Sequence, residues 1–166
     1  MLIEIENFLE DNLCDYFVEH HKENFQILHS EKNPEISSQH RNTKIILCEG
    51  QAFRRNIHFK VLLSKLNYLI KSHSKDSLIN YSQIVEWPEK SSQDEHIDFD
   101  HHPFTSILYL NDNYTGGETM VGNKKICPKK GKLILFDGNN IKHQVLEITS
   151  GIRYTNATWY ITPKKR

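Results

Sequence analysis

Three residues in the second half of the chain have types and a spacing that suit metal binding. His96 and Asp98 form an HxD pair. On a β-strand, residues i and i+2 point to the same face, so an imidazole and a carboxylate at this spacing reach one metal ion together. His143 follows an apolar run and a turn and is the candidate third ligand. Two imidazoles and one carboxylate would hold the metal on one side and leave coordination positions open on the other.

Arg153 is a further candidate for binding chemistry. It lies in an otherwise apolar strand pattern, after Gly151 and before Trp159. At an exposed sheet edge, such an arginine has no binding role. In a pocket, its planar guanidinium would bind a carboxylate through two parallel hydrogen bonds. The residues alone leave both interpretations open.

The other histidines form no comparable motif. His101 and His102 closely follow the HxD pair in a predicted loop, and we do not expect either of them to bind the metal. The sequence contains no HExxH, no Gly-rich phosphate loop and no GxSxG. The remaining histidines are expected at the surface: His20, His21, His29, His40, His58 and His73.

Two helices dominate the predicted elements of the first half of the chain. Asn7 is the expected N-cap of the first helix. The predicted elements are strands at 1–6 and 44–48, helices at 8–22 and 51–71, and a polar loop at 29–43.

The second half alternates apolar and polar residues with a period of two, in short runs separated by turn residues. Strands are predicted at 78–86, 95–99, 104–111, 118–121, 132–136, 143–148 and 152–161. Helices followed by many short strands predict an α+β fold, with a β-sandwich or jelly roll in the second half and the helices packed on one sheet. A length of 166 residues suits one domain over 1–166, with helical support at 1–75 and a β core at 76–162.

Charge is balanced overall but unevenly distributed. Lys+Arg and Asp+Glu both number 21, so the formal net charge is zero, which gives no global sign of a nucleic-acid or membrane partner. Acidic residues concentrate at 1–23 and lysines at 124–132. We favour a solvated helix face and a solvated hairpin over a docking surface for an acidic partner.

The cysteines and the apolar runs predict a cytoplasmic protein. Cys14, Cys48 and Cys127 form no CxxC, and their odd number cannot make a closed disulfide framework, which is typical of a reducing compartment. The start of the sequence lacks the basic and apolar regions of a signal peptide. No run approaches the roughly 18 apolar residues of a membrane span.

The second half contains a series of motifs in a fixed order. They are HID at 96–98, FTSILYLND at 104–112, GGET at 116–119, PKKGKLILF at 128–136, His143 with Val145, Gly151, and RYTNATWYI at 153–161. In their order, these motifs resemble those of Fe(II)/2-oxoglutarate-dependent dioxygenases, above all the prolyl 4-hydroxylase branch, over about residues 78–161. An HxD pair alone is a weak signal, whereas the ordered set is specific. The resemblance implies a double-stranded β-helix, or jelly roll, with N-terminal helices packed on one sheet.

The resemblance implies metal and cosubstrate roles for six side chains. The implied Fe(II) ligands are His96, Asp98 and His143. The implied 2-oxoglutarate residues are Arg153 and Tyr109, both at its distal carboxylate, and Thr105 along the pocket. No catalytic residue is implied beyond the metal centre, and ascorbate is a further expected cofactor.

Three apolar residues are implied to form the pocket wall: Trp87, Val145 and Trp159. Val145 and Trp159 fit ordinary core packing equally well. Trp87 stands where many relatives have a tyrosine, and Ala157 stands where some have a threonine, so the sequence departs from the family pattern at both positions.

The resemblance implies an enzyme that hydroxylates prolyl residues in a peptide or protein, consumes O2 and forms succinate and CO2. The same chemistry on another side chain, a free amino acid or a small metabolite stays open. A nucleic-acid demethylase is disfavoured because the chain is neutral and has no basic groove pattern. A non-catalytic jelly-roll binding module is disfavoured because all the implied ligands are present. Nothing in the sequence predicts an oligomeric state.

Overall fold

The computed structural model describes residues 1–24, 26–27, 40–41, 43–48 and 55–163. Most of the predicted loop at 29–43 therefore lies outside the described residues. Within them, the chain forms two helices, α1 (Asp11–Asn24) and α2 (Ile57–His73). Neither helix is long and apolar enough to cross a membrane.

Both helices begin later than predicted. Asn7 does not cap α1, because it lies in a turn with a φ of 52°, and the helix starts only at Asp11. The N-cap of α2 is Asn56, whose side-chain oxygen accepts hydrogen bonds from the backbone N–H groups of His58 and Phe59. The residues at the predicted start of this helix, 51–54, are not described.

The described residues also form short strands, which pair antiparallel throughout. They are β1 (Leu2–Ile5), β2 (Gln26–Ile27), β3 (His40–Arg41), β4 (Lys44–Leu47), β5 (Leu78–Trp87), β6 (Ser92–His96), β7 (Phe104–Tyr109), β8 (Thr115–Gly116), β9 (Thr119–Val121), β10 (Lys124–Ile126), β11 (Leu133–Phe136), β12 (His143–Val145), β13 (Ile148–Ser150) and β14 (Arg153–Ile161).

Two sheets carry the fold. A seven-stranded sheet has the order β1-β11-β7-β14-β5-β4-β2, and a five-stranded sheet has the order β10-β9-β12-β6-β3. A two-stranded sheet joins β13 to β8, which ends at Gly116. Two antiparallel sheets with helices on one side confirm the predicted jelly roll.

The large sheet separates the helix-facing core from the space between the sheets. Along β14, Tyr154 and Tyr160 pack into the cluster that contains the buried faces of α1 and α2. Arg153, Thr155 and Ala157 point to the opposite face, as the period of a strand requires, and line a cavity between the sheets. The apolar helix faces therefore support the wall of this cavity from behind.

One histidine expected at the surface is buried. His21 on α1 is 0% exposed, and its Nδ1 lies 3.4 Å from Oε2 of Glu86. Tyr154 donates a hydrogen bond of 3.0 Å to the same carboxylate oxygen. The expectation was wrong because helical periodicity places His21 on the inner face together with Cys14 and Phe17.

The two oppositely charged segments of the sequence neutralise each other. Each of the five lysines at 124–132 lies within 3.2 Å of an acidic side chain, and four of them reach acids of the N-terminal segment. The pairs are Lys124–Glu4, Lys125–Glu118, Lys129–Glu6, Lys130–Asp15 and Lys132–Glu4. The lysines thus meet partners within the chain, so they do not form a free basic surface.

Candidate metal centre and cosubstrate pocket

The three predicted metal ligands come from two neighbouring strands of the five-stranded sheet. His96 ends β6, His143 begins β12, and the two residues are paired directly across the ladder. Asp98 lies beyond the end of β6, and its backbone N–H donates a 2.9 Å hydrogen bond to the carbonyl of Gly138. The predicted strand at 95–99 therefore begins and ends too late. The side chains of His96 and Asp98 nevertheless approach each other, as the i, i+2 spacing predicts.

The ligand atoms of the three side chains face one another. They all lie within 4.8 Å of each other, with 3.9 Å from His96 Nε2 to Asp98 Oδ1 and 3.7 Å from His143 Nε2 to Asp98 Oδ2. Each Nδ1 lies within 2.9 Å of a backbone carbonyl, of Asp94 and Ile141 respectively. These acceptors place the proton on Nδ1 and leave the Nε2 lone pairs for a metal.

Burial favours the neutral form of the His143 side chain, which is the form that binds metals. Its ring packs edge-on against Phe136, with the ring centroids 4.8 Å apart. Burial lowers the pKa of His143, while the nearby charge of Asp98 acts in the opposite direction. The neutral imidazole, which is the form that binds metals, is therefore favoured.

Thr105 contacts the metal centre directly. Its hydroxyl donates a 2.5 Å hydrogen bond to Asp98 Oδ2. The side chain also lines the cavity between the sheets, as predicted for a pocket residue. A hydroxyl bound to a carboxylate forms a short, charge-assisted hydrogen bond. Thr105 therefore holds one oxygen of a candidate ligand.

The cavity joins the metal centre to the other predicted site residues. His96 and His143 contribute to its lining, and so does Arg153. The three predicted wall residues also line it: Trp87, Val145 and Trp159. The structure therefore brings the candidate ligands, the arginine and the apolar wall residues together around one space.

Arg153 is not at an exposed edge. The residue is only 1% exposed, and its guanidinium carbon lies 4.9 Å from the centroid of the Trp87 ring. One nitrogen, Nη2, donates a 3.0 Å hydrogen bond to Oγ1 of Thr119. Its Nε and Nη1 are buried and have no hydrogen-bond partner among the described residues. Since buried donors are almost always paired, this guanidinium fits an anionic ligand in the cavity.

Thr119 connects Arg153 to Tyr109. Its Oγ1 accepts from Arg153 and also from the Tyr109 hydroxyl at 2.8 Å. The proton of the Thr119 hydroxyl remains available for a ligand. Burial raises the pKa of Tyr109, so the phenol keeps its proton. Thr119 was not predicted as a site residue, although the GGET segment that it ends was a usable signal.

Tyr114 was also missed by the sequence analysis. Its hydroxyl is buried without a hydrogen-bond partner among the described residues. Burial raises the pKa of Tyr114 to about 12, against the opposing influence of the nearby Arg153. A protonated phenol thus lies beside the guanidinium. The sequence offered no signal for it, because Tyr114 belongs to a turn without a recognisable motif.

The two histidines that follow the HxD pair do not belong to the triad. His102 is buried, and its Nε2 lies 2.8 Å from the amide nitrogen of Asn80. The His101 ring stacks on Phe99 at 5.6 Å. In the described part of the chain, the group of metal-binding side chains contains neither of them.

Comparison with known proteins connects this geometry to a family. Residues 81–161 match the model of the 2OG-Fe(II) oxygenase superfamily. No curated protein sequence matches the chain.

Several solved structures share the fold. A prolyl-4-hydroxylase from Pseudomonas putida superposes with a TM-score of 0.79 and 16% identity, over 98% of this chain and 93% of that one. A prolyl hydroxylase from Trichoplax adhaerens, in complex with a peptide fragment of hypoxia inducible factor, superposes with a TM-score of 0.77 and 23% identity. This match covers 97% of this chain and 83% of that one. The viral collagen prolyl hydroxylase of Paramecium Bursaria Chlorella virus-1 superposes with a TM-score of 0.74 and 19% identity, over 98% of this chain and 96% of that one. Residues 81–161 thus match the 2OG-Fe(II) oxygenase superfamily, and nearly the whole chain shares the fold of these solved structures.

Proposed function

We propose that this chain, acting as a single domain, is an Fe(II)- and 2-oxoglutarate-dependent dioxygenase that hydroxylates prolyl residues in a peptide or protein. The observation that carries the proposal is the pair of unpaired guanidinium nitrogens of Arg153, buried in the cavity that His96 and His143 of the triad also line. A metal ion and a dicarboxylate would together occupy such a space.

The triad has the donor set expected for this metal. Two neutral imidazoles and a carboxylate are the ligands of the non-haem Fe(II) facial triad. His96 and His143 offer Nε2, because their Nδ1 atoms are committed to backbone carbonyls. Bound Fe(II) would supply the oxidative chemistry, in which decarboxylation of 2-oxoglutarate to succinate and CO2 accompanies hydroxylation of a C–H bond by O2.

The chain would bind the distal carboxylate of 2-oxoglutarate at Arg153. Its Nε and Nη1 are free, and each of them forms a parallel pair of donors with the second N–H of Nη2, which is the pair that a carboxylate accepts; the Thr119 hydroxyl adds a donor next to them. Tyr109 would act mainly through Thr119, to which it already donates. Trp87 and Val145 are 3% and 6% exposed and would exclude water from this end of the cavity.

Aromatic side chains next to the metal centre support a peptide substrate. Tyr81 and Trp159 stack with centroids 4.6 Å apart, and Trp159 lines the cavity. Phe99, which follows Asp98 directly, is 70% exposed. A proline ring presented by an extended peptide would pack against such faces. The Trichoplax adhaerens relative, solved with a peptide, supports the same substrate class.

The test of the proposed function is succinate release with matched peptides. Peptides that contain proline are expected to stimulate succinate formation and to gain 16 mass units, whereas the same peptides with alanine are not. Ascorbate is expected to prolong turnover. Equal turnover on both peptide sets, or stimulation only by a free amino acid or an oligonucleotide, would contradict the prolyl assignment and leave the dioxygenase assignment standing.

Metal affinity is expected to fall as the pH is lowered from 7.5 to 5. Imidazoles bind a metal only in their neutral form, so protons compete with the metal for the ring nitrogen. Burial lowers the pKa of His143, so the folded chain keeps this ring neutral at a pH where an unfolded histidine takes up a proton. Acidification therefore weakens the apo fold as well. Mn(II) titrations monitored by electron paramagnetic resonance measure the effect, and a pH-independent affinity would argue against imidazole ligands.

A further inference from the structure

Gly138 touches the metal centre although it carries no ligand. It follows β11 in the turn that leads to His143. A methyl group at this position would overlap Asp98 Oδ2 and Thr105 Oγ1, and it would lie 3.1 Å from Thr105 Cβ. The φ angle of Gly138 is not in the positive range, so backbone conformation does not require glycine here. Glycine is required at position 138 because the space beside the Asp98 carboxylate cannot hold a side chain.

Gly138 and Thr105 hold Asp98 at both ends. Its backbone N–H donates to the Gly138 carbonyl at 2.9 Å, and its Oδ2 accepts the Thr105 hydroxyl at 2.5 Å. Oδ2 also lies 3.7 Å from Nε2 of His143, and the other oxygen, Oδ1, lies 3.9 Å from Nε2 of His96. The carboxylate is thus held by protein hydrogen bonds while each of its oxygens faces one histidine of the triad.

We infer that Gly138 and Thr105 are positioning residues that fix the orientation of the Asp98 carboxylate toward the two histidines of the triad. The inference rests on the proposed metal site and adds to it two residues that contact the ligand and not the ion. Thr105 holds Oδ2 in place, and the absent side chain of Gly138 leaves the space that this arrangement needs. A carboxylate held in this way cannot rotate freely away from the histidines.

The first test replaces Gly138. Gly138→Ala is expected to weaken Mn(II) binding by about 10–100-fold, the usual effect of disturbing a group that orients a metal ligand. The matched control is Gly131→Ala, which also introduces a methyl group where there is no space. The methyl group would lie 2.5 Å from the Leu9 carbonyl oxygen, and the φ of 78° is unfavourable for alanine. This control is expected to lose thermal stability and to keep the Mn(II) affinity of the unaltered chain.

The second test does not depend on a methyl group at position 138. Thr105→Val keeps the volume of the side chain and removes the donor to Asp98, whereas Thr105→Ser keeps the donor. The valine variant is expected to bind Mn(II) more weakly and to change the visible absorption spectrum of bound Co(II), which reports the coordination of the metal. The serine variant is expected to restore both.

The outcomes separate this inference from the proposed function. If Gly138→Ala and Thr105→Val bind Mn(II) with unchanged affinity and give an unchanged Co(II) spectrum, the inference is overturned, whatever the activity of the protein. If the variants behave as expected while the unaltered chain releases no succinate with any peptide, the inference stands and the proposed function fails. A chain that binds no Mn(II) at all would overturn both.

Discussion

Alanine in place of His96, Asp98 or His143 is expected to abolish tight Mn(II) binding and all succinate release. Each change removes one of three donors whose atoms lie within 4.8 Å of one another. Even groups that only orient a metal ligand are worth about 10–100-fold in affinity, so loss of a ligand itself should exceed that range. Mn(II) titration followed by electron paramagnetic resonance checks the result directly, independent of the substrate.

His101 and His102 provide the matched controls for this experiment. Both follow the HxD pair closely, yet their rings contact Phe99 and Tyr81, and neither belongs to the triad. His101→Ala and His102→Ala are expected to bind one Mn(II) per chain with the same affinity as the unaltered chain. Loss of binding in His101→Ala together with normal binding in His96→Ala would show that the ligands are wrongly assigned.

Arg153→Ala is expected to weaken 2-oxoglutarate binding severely and to leave metal binding intact. Loss of one partner of a buried, charge-assisted pair costs about 2–5 kcal/mol, which corresponds to roughly 30-fold to several thousandfold in affinity. Arg153→Lys is expected to restore only part of the loss, because an ammonium group lacks the planar pair of donors. Isothermal titration of the Mn(II)-loaded protein with 2-oxoglutarate measures the effect.

Arg55 supplies the control for a lost positive charge. It is exposed just before α2, and Arg55→Ala is expected to bind 2-oxoglutarate normally. An unchanged affinity in Arg153→Ala would mean that the cosubstrate binds elsewhere and that the unsatisfied nitrogens of this buried arginine have another partner.

The candidate site was more predictable from the sequence than the elements that carry it. Spacing and motif order identified His96, Asp98, His143 and Arg153 as candidates. The structure gathers the first three into one group, and His96, His143 and Arg153 line one cavity. The order of motifs along the sequence can be recognised even where the predicted strand boundaries are wrong by a few residues. The predicted boundaries of the strand were wrong, because β6 ends at His96 and Asp98 lies beyond it, yet the HxD spacing still brings both side chains together.

What pattern reasoning missed depends on contacts between residues far apart in the chain. Thr119 becomes important only because Tyr109 and Arg153, from different strands, both donate to it. Gly138 resembled an ordinary turn glycine, and its role follows from the approach of Asp98 and Thr105. Asn7 has the residue type of a helix cap but adopts a positive φ, which no periodicity reveals.

The position of β14 in the large sheet has a consequence for the order of folding during synthesis. This strand lies between β5 and β7 and pairs with both, although its residues, 153–161, come last among the strands. Until the ribosome has released them, β5 and β7 each present an unpaired edge, and unpaired edges invite association with other chains. The nascent chain is therefore exposed to aggregation until the sheet closes, which makes its yield sensitive to chaperones and to growth temperature.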